Sequence, residues 1–408
     1  MISINPRVFI KNRENTVRIN GIQQKTDVRV ISKIYPDFCI YLTVEPDAGF
    51  DLCLPHSGEY FVDIEPSGPE YAQRIPVFAV EENLAGLIPL QGDLHIHTTF
   101  SDGKKEPAAM VNAGRALGLD FMAVTDHDSY NGSVSAVKYA AEAGHDMVVL
   151  HGEEVTLPGS GHMLCIGADS PVHLPMMDDE SYHKGVAETI AAIKPEDLAD
   201  GMTAEEYAPV KWIAGIIRKK GGLSVLCHPF WVMETTGMFH LRRNLLMQVL
   251  QDRLTDAVEI PGDNLPEDSM LALNLYRDTQ WNGSPMPMIA NSDTHNDNHT
   301  YGHRWSIVFS GAKAKQSILD AIRSGKNVAC EKRPECPLQI YGRFELTEYA
   351  YFLSREYFPA KDRFAAREAE SIFAGNTAEG IVAESARYTA DYFAAGVLPR
   401  DQAFCRSL

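Results

Sequence analysis

The sequence predicts an α/β protein: a strand–helix barrel in the middle of the chain, a β-sandwich-like region before it and a helical appendage after it. Three observations carry this reading. Short β-rich runs parted by turn material fill residues 1–90, the rhythm of a small antiparallel sandwich. Strands then alternate with helices over 91–340, which implies a mainly parallel sheet, and this many units suggest a barrel. Residues 341–408 lose the strands and read as amphipathic helices.

Taken in order, the first region offers "VFIKN", "DVRVIS", "FCIYLTVE" and "EYFVDIEP", separated by "NGIQQ", "PDAGF" and "PHSG". At Asp93 the rhythm changes. "DLHIH" leads into helical "EPAAMVNAGRALGL", and "DFMAVT" leads into "SVSAVKYAAEAG". "MVVLHGEEVTL" and "HMLCIG" come next, then a polar insertion of acids and alanines at about 176–208. Helix "VKWIAGIIRKKG" and strand "LSVLCH" resume the alternation, which continues through "DAVEI", "SMLALNLYRDTQ", "PMIANS", "RWSIVFS", "KQSILDAIRS" and "NVAC". From "ELTEYAYFLSREYF" onward the pattern is helical.

With 408 residues, 45% of them hydrophobic, the chain has ample material for a core, and its net charge of −18 argues against a non-specific grip on long duplex nucleic acid or an anionic membrane. No window approaches the roughly 20 apolar residues of a membrane span, and the N-terminus lacks the apolar core of a signal peptide. Seven cysteines stand without paired spacing, so a reducing cytoplasm is expected. Cys165 and Cys227, inside apolar runs, read as small buried hydrophobes.

The chemistry lies at the carboxyl ends of the strands, where barrels and open parallel sheets place their active groups. "DLHIH" ends in His95 and His97, which project to one side because strand residues i and i+2 do so. Asp102 follows in the next loop. "FMAVTDHD" supplies Asp126, His127 and Asp128, and "VVLHGEEVT" supplies Glu153 and Glu154. His162 opens a strand, His228 ends one, and "MIANSDTH" brings Asp293 and His295 in a second i, i+2 pair. Six of the 14 histidines thus meet acids at one rim. Imidazole and carboxylate without cysteine favour two or three zinc, manganese or iron ions. Set against three carboxylates, three divalent ions leave net positive charge, which suits a phosphate oxyanion.

In this order, "DLHIHTTFSDG", "VTDHD", "GEEVT", "HMLCIG", "CHP" and "NSDTH" resemble the PHP (polymerase and histidinol phosphatase) family over roughly residues 91–310. The resemblance implies a distorted (β/α)7 barrel and a metal-dependent phosphoesterase in which a metal-bound hydroxide attacks phosphorus. It also implies nine ligands. His95, His97 and Asp293 would hold one ion with a bridging Glu154. Glu154, His162 and His228 would hold a second, and Asp102, His127 and His295 a third. Glu154 is preferred to Glu153, which strand alternation turns away. His151 stands where the family has proline and reads as structural.

Other candidates are Asp126 and Asp128 as acceptors orienting ligand histidines, Arg304 as a phosphate clamp, His303 as a general acid and Trp231 as a stacking platform. His56, His145, His173, His183, His240 and His299 have no spacing logic. The expected substrate is a small phosphorylated molecule: a phosphomonoester, nucleotide or short oligonucleotide. The alternatives are an amidohydrolase-type C–N or C–O hydrolase on the same metals, or a binding protein with a structural metal module. Native metal, physiological ester and oligomeric state are left open.

Overall fold

The computed structural model describes residues 2–46, 48–65, 73–157, 161–173, 176, 178–232, 237–239, 241–262, 265–280, 285–297 and 300–399. Eight strands open the chain: β1 (Ser3–Asn5), β2 (Val8–Ile10), β3 (Glu14–Asn20), β4 (Thr26–Ser32), β5 (Cys39–Val44), β6 (Gly49–Cys53), β7 (Gly58–Glu65) and β8 (Gln73–Val80). They form a sheet of order β1-β3-β6 and another of order β2-β8-β7-β4-β5. All pairs are antiparallel except β2 with β8. Alternation drives this: Val28 and Val30 of β4 and Tyr60, Val62 and Ile64 of β7 are buried.

The central part is mixed α/β. Its strands are β9 (Ile88–Asp93), β10 (Phe121–Ala123), β11 (Val148–Leu150), β12 (Gly152–Thr156), β13 (His162–Ile166), β14 (Leu223–Leu226), β15 (Ala257–Glu259), β16 (Met288–Ile289), β17 (Arg304–Ser310), β18 (Asn327–Glu331) and β19 (Gln339–Tyr341). Among the described residues they form two sheets, of orders β11-β10-β9-β17-β18-β19 and β12-β13-β14-β15-β16, rather than one continuous ring. Two isolated parallel bridges join the sheets, Ile96 with Thr294 and His127 with Glu154. Leu90 and Phe121 of one sheet meet Leu164, Val225, Ala257 and Ile289 of the other in a common apolar interior.

The expected parallel character holds only in part. β12, β13 and β14 pair antiparallel, as do β17, β18 and β19. Only residues 157–161 separate β12 from β13, too few for a parallel crossover. "MVVLHGEEVTL", read as one strand, breaks at His151: β11 stays with β10, while β12 enters the other sheet. Glycine permits the step, because a Cβ on Gly152 would lie 2.8 Å from both Thr125 Cγ2 and the Val124 carbonyl oxygen.

Helices α1 (Pro107–Ala116) and α2 (Asn131–Ala143) cover the outside of the first sheet through Met110, Val111 and Ala136 against Met122 and Val124. The insertion contains α3 (Asp179–Ala192) and the start of α4 (Ala204–Lys219), whose Thr203–Glu206 capping box sets its first turn. With α5 (Arg243–Asp252) and α6 (Pro266–Gln280), α4 covers the second sheet. α7 (Lys315–Arg323) follows β17. No described helix is long and apolar enough to cross a membrane.

The C-terminal helices α8 (Phe344–Glu356), α9 (Phe358–Phe373) and α10 (Glu379–Tyr392) are more than an appendage. Tyr349, Phe352, Tyr357 and Phe358 share one apolar core with Phe9, Tyr60 and Phe78 of the N-terminal sheets. On their other side α9 docks through buried charge. Arg115 Nε and Nη2 donate to Glu368 Oε2 at 3.0 and 2.7 Å, and Lys361 Nζ donates to Asp120 Oδ2 at 2.6 Å. Removing one partner of a buried pair strands the other. Glu368→Ala is therefore expected to destabilise the chain by about 3 kcal/mol, read as a lower denaturation midpoint, with Arg115→Met/Glu368→Leu recovering most of the loss.

Candidate metal centre

The site is built where the two sheets are bridged. Beyond β9 the chain stays extended: Thr125 N–H donates to the Ile96 carbonyl at 2.8 Å and His97 N–H to the Thr294 carbonyl at 2.9 Å. This pins His95 and His97 between the two sheets. The following loop is held by Asp126, whose carboxylate accepts from Thr98 N–H (2.7 Å), Thr98 Oγ1 (2.7 Å) and Ser101 Oγ (2.8 Å). Lys104 N–H donates to the His295 carbonyl at 2.8 Å and ties the Asp102 loop to the Asp293–His295 turn.

Glu154 is the hub. Its Oε2 lies 3.2 Å from each of His95 Nε2, His97 Nε2 and His127 Nδ1. Its Oε1 lies 3.1 Å from His162 Nδ1 and 2.9 Å from His228 Nε2. Asp293 Oδ1 adds contacts of 3.3 Å to His95 and 3.2 Å to His97. Asp102 Oδ2 is 3.1 Å from His295 Nε2 and 3.9 Å from His127 Nε2. His95, His97 and Glu154 are fully buried, whereas the Asp102 side chain is 55% exposed, so the cluster opens to solvent on the Asp102 and His295 side.

The structure thus brings all nine residues together, but divides them differently from the expected grouping. His95, His97 and Asp293 form one set of converging ligand atoms, and His97 joins Asp102, His127 and His295 in another. His127 and Glu154 share a third with His162, while His228 groups with His95, Glu154 and Cys227. Cys227 was read as a plain core residue; its thiol faces Glu154 Oε1 at 3.4 Å. Three rim residues hold left-handed backbone: Asp128 (φ 44°), His228 (φ 25°) and Asp293 (φ 52°). Such conformations are sparsely populated outside glycine and gather at functional sites.

The donor set fits divalent cations. His95 Nε2, His97 Nε2 and Glu154 Oε2 are buried and make no well-directed hydrogen bond in the protein, although they face one another. All described ion pairs of Glu154 and Asp293 are with imidazoles. Burial opposes their charge, yet the surrounding histidines hold both carboxyls below the usual range. Burial likewise opposes charge on His97, but hydrogen bonds to Asp293 and Glu154 push it up to about 9. His95 is raised too, against burial, by Asp293, Glu154 and Glu259, whereas burial lowers His127. Burial lifts Asp93 to about 7 against hydrogen bonds from Ser292.

Of the other candidates, Asp126, Asp128 and Arg304 are corrected. Asp126 and Asp128 orient no histidine ring directly: Asp126 holds the 98–101 loop, and Asp128 accepts from Thr156 N–H and Oγ1 at 3.0 and 2.7 Å. Arg304 is not available as a clamp in the way expected: its Nε donates to Glu331 at 2.8 Å and its Nη1 to the Gly262 carbonyl at 2.9 Å. His303, half-buried beside it, is outside the converging ligand groups. Trp231 sits 6.1 Å from the His228 ring. Glu153 does turn away, to Val172 N–H and His173 Nδ1, and His151 packs 5.2 Å from Tyr130. His56 stacks on Tyr35, His145 bonds Asn112 and His183 lies beside Tyr182. His240 and His299 lie outside the described residues. Glu259 was missed. It is the last residue of β15, within "DAVEI", an acid closing an apolar strand as at the other rim positions, and it contacts His95.

These shifts set the pH dependence of the metal-free protein. His97 is raised on folding, so its contribution is full below its unfolded value of about 6.5 and is lost as pH rises through about 9. Asp93, also raised, costs stability as pH rises from about 4 to about 7. The lowered Glu154 and Asp293 contribute above about 4 and lose that contribution on acidification. Chelator-treated protein should therefore lose thermal stability between about pH 6.5 and 9.5, whereas zinc, which favours deprotonated ligands, should flatten the fall. A flat profile in the chelated protein would contradict this account.

Comparison with known proteins places the site in context. Residues 93–198 match the PHP domain model, a segment that includes His95, His97, Asp102, His127, Glu154 and His162 but stops before His228, Asp293 and His295. The uncharacterized protein MJ1587 of Methanocaldococcus jannaschii is 25% identical over 152 residues, 35% of this chain and 68% of that one. Among solved structures, a two-domain Bacteroides vulgatus protein containing a predicted PHP-like metal-dependent phosphoesterase is 18% identical, with a TM-score of 0.41. That match covers 60% of this chain and 65% of the other, just under two thirds of its length. An amidohydrolase from Chromobacterium violaceum, solved with sulfate and no metal, is 19% identical, covers 52% of this chain and 90% of that one, and has a TM-score of 0.37. The likeness to the PHP domain is thus carried by residues 93–198, the first two thirds of the ligand set.

Proposed function

We propose that the chain is a metal-dependent phosphoesterase acting on a small phosphate ester, nucleotide or short oligonucleotide. The observation that carries this is the convergence of five imidazoles on the buried Glu154 carboxylate, with Asp293 and Asp102 completing the acidic set. We read the two sheets and their bridges as an opened form of the distorted (β/α)7 barrel. His95, His97, Asp102, His127, Glu154, His162, His228, Asp293 and His295 would hold two or three zinc, manganese or iron ions. Divalent cations there supply Lewis acidity, lowering the pKa of water and neutralising charge that builds on phosphoryl oxygens.

The chain's own residues do the rest. Glu154 and Asp293 keep the donor atoms of separate strands within reach of one another. Asp126 freezes the loop that presents Asp102 at the open side, where an ester enters. The leaving oxygen needs a proton, and we assign that task to His303. The charge of −18 and the lack of basic tracts disfavour long duplex nucleic acid as substrate. The six described cysteines are free thiols, which supports a reducing, cytoplasmic setting.

His228→Ala and Asp293→Ala should lower retained metal and ester turnover together. The loss should exceed the roughly 10–100-fold typical of removing a partner behind a metal ligand. Elemental analysis and a panel of phosphate esters, amides and lactones check this. Turnover of amides or lactones alone would replace this reading with the amidohydrolase-type one, and ligand-bearing protein without turnover of any of them would favour a binding module.

A further inference from the structure

We infer that Glu259 is the positioning residue that fixes the His95 ring, so that its Nε2 faces the cluster; this rests on the metal-centre reading above. Glu259 ends β15 fully buried, and its Oε2 lies 3.0 Å from His95 Nδ1. The same oxygen accepts from Asn291 Nδ2 at 2.9 Å. The Asn291 amide cannot turn round without loss, because its Oδ1 accepts from Leu94 N–H at 2.9 Å. With Asn291 committed as a donor and the Glu259 carboxylate able only to accept, the hydrogen bond from the ring must come from Nδ1–H. In the neutral ring Nε2 is then the bare nitrogen, and it points at Glu154 Oε2 and Asp293 Oδ1, 3.2 and 3.3 Å away. A carboxylate behind a ligating histidine sets both its tautomer and its orientation.

The acceptor is itself held in place. Gly262 packs so closely on Glu259 that a Cβ there would come within 2.4 Å of Glu259 Oε1. Arg304 donates to the Gly262 carbonyl while Glu331 anchors its Nε, so the guanidinium expected to clamp substrate props the turn that covers Glu259. Other cluster imidazoles rest on weaker partners: His97 Nδ1 lies 3.4 Å from Ser101 Oγ, and His295 Nδ1 3.0 Å from the Asp293 carbonyl.

The test compares wild-type protein with Glu259→Gln, which keeps an acceptor, and Glu259→Leu, which keeps volume but removes it. Zinc retention is measured by chelator competition, and the His95 ring proton is located by ¹⁵N-resolved NMR of the zinc-loaded protein. Wild type should carry the proton on Nδ1. Glu259→Leu should weaken zinc retention roughly 10–100-fold, and Glu259→Gln should recover most of that loss with Nδ1–H intact. Wild-type retention in Glu259→Leu, or a proton on Nε2 in the zinc-loaded wild type, overturns the inference; if the Leu variant does not fold, the ring proton of the zinc-loaded wild type alone decides. Neither readout involves ester turnover. A protein that passes both but cleaves no phosphate ester defeats only the phosphoesterase reading, and a wild-type chain that retains no zinc defeats both.

Discussion

A carboxylate buried among imidazoles governs this molecule. Taking Glu154 out of water carries a penalty of several kcal/mol unless opposite charge or hydrogen bonds surround it. The groups that compensate it come from the ends of β9, β10 and β14 and from the start of β13. No two of these segments except His95 and His97 are close in sequence, so the hub can be satisfied only if both sheets meet at this rim. The break at His151, the crossing at Gly152 and the bridge between His127 and Glu154 all deliver this one side chain to its partners. The cluster is thus a constraint on topology as much as a site.

Support for that rim begins at the opposite end of the strands. Asp120 and Asp146 stand just before β10 and β11, where Lys361 donates to Asp120 and Glu368 accepts from the Asp146 N–H at 2.8 Å. The helix that carries both Lys361 and Glu368, α9, also shares a core with the N-terminal sheets through Phe358. Strand starts are therefore fixed by a polar clamp in which partners must match, and strand ends are left to the chemistry. The apolar interior between the two sheets joins the two levels.

Much of the rim was legible in the sequence because its signals are local. The i, i+2 pairs at His95/His97 and Asp293/His295, and single acids or histidines closing apolar runs, need only strand alternation to be read. Glu154 was separable from Glu153 on the same ground, and the structure turns the two to opposite faces. What escaped depends on partners remote in the chain. Glu259 carries the same local signal as its neighbours but has no motif around it, and its meaning comes from His95, 164 residues away. Arg304 looks like an anion clamp until Glu331 and Gly262 are seen beside it. The antiparallel β12–β13 pair was hidden because a short apolar run does not disclose its direction. The C-terminal helices were read as amphipathic, which they are, but periodicity says nothing about what covers the apolar face.

The left-handed backbone at His228 and Asp293 has an evolutionary corollary. Glycine adopts such torsions without steric cost, so selection for thermal robustness alone would drift both positions toward glycine and dismantle the rim. A histidine and an aspartate at these torsions mark places where the fold gives up stability in exchange for chemistry.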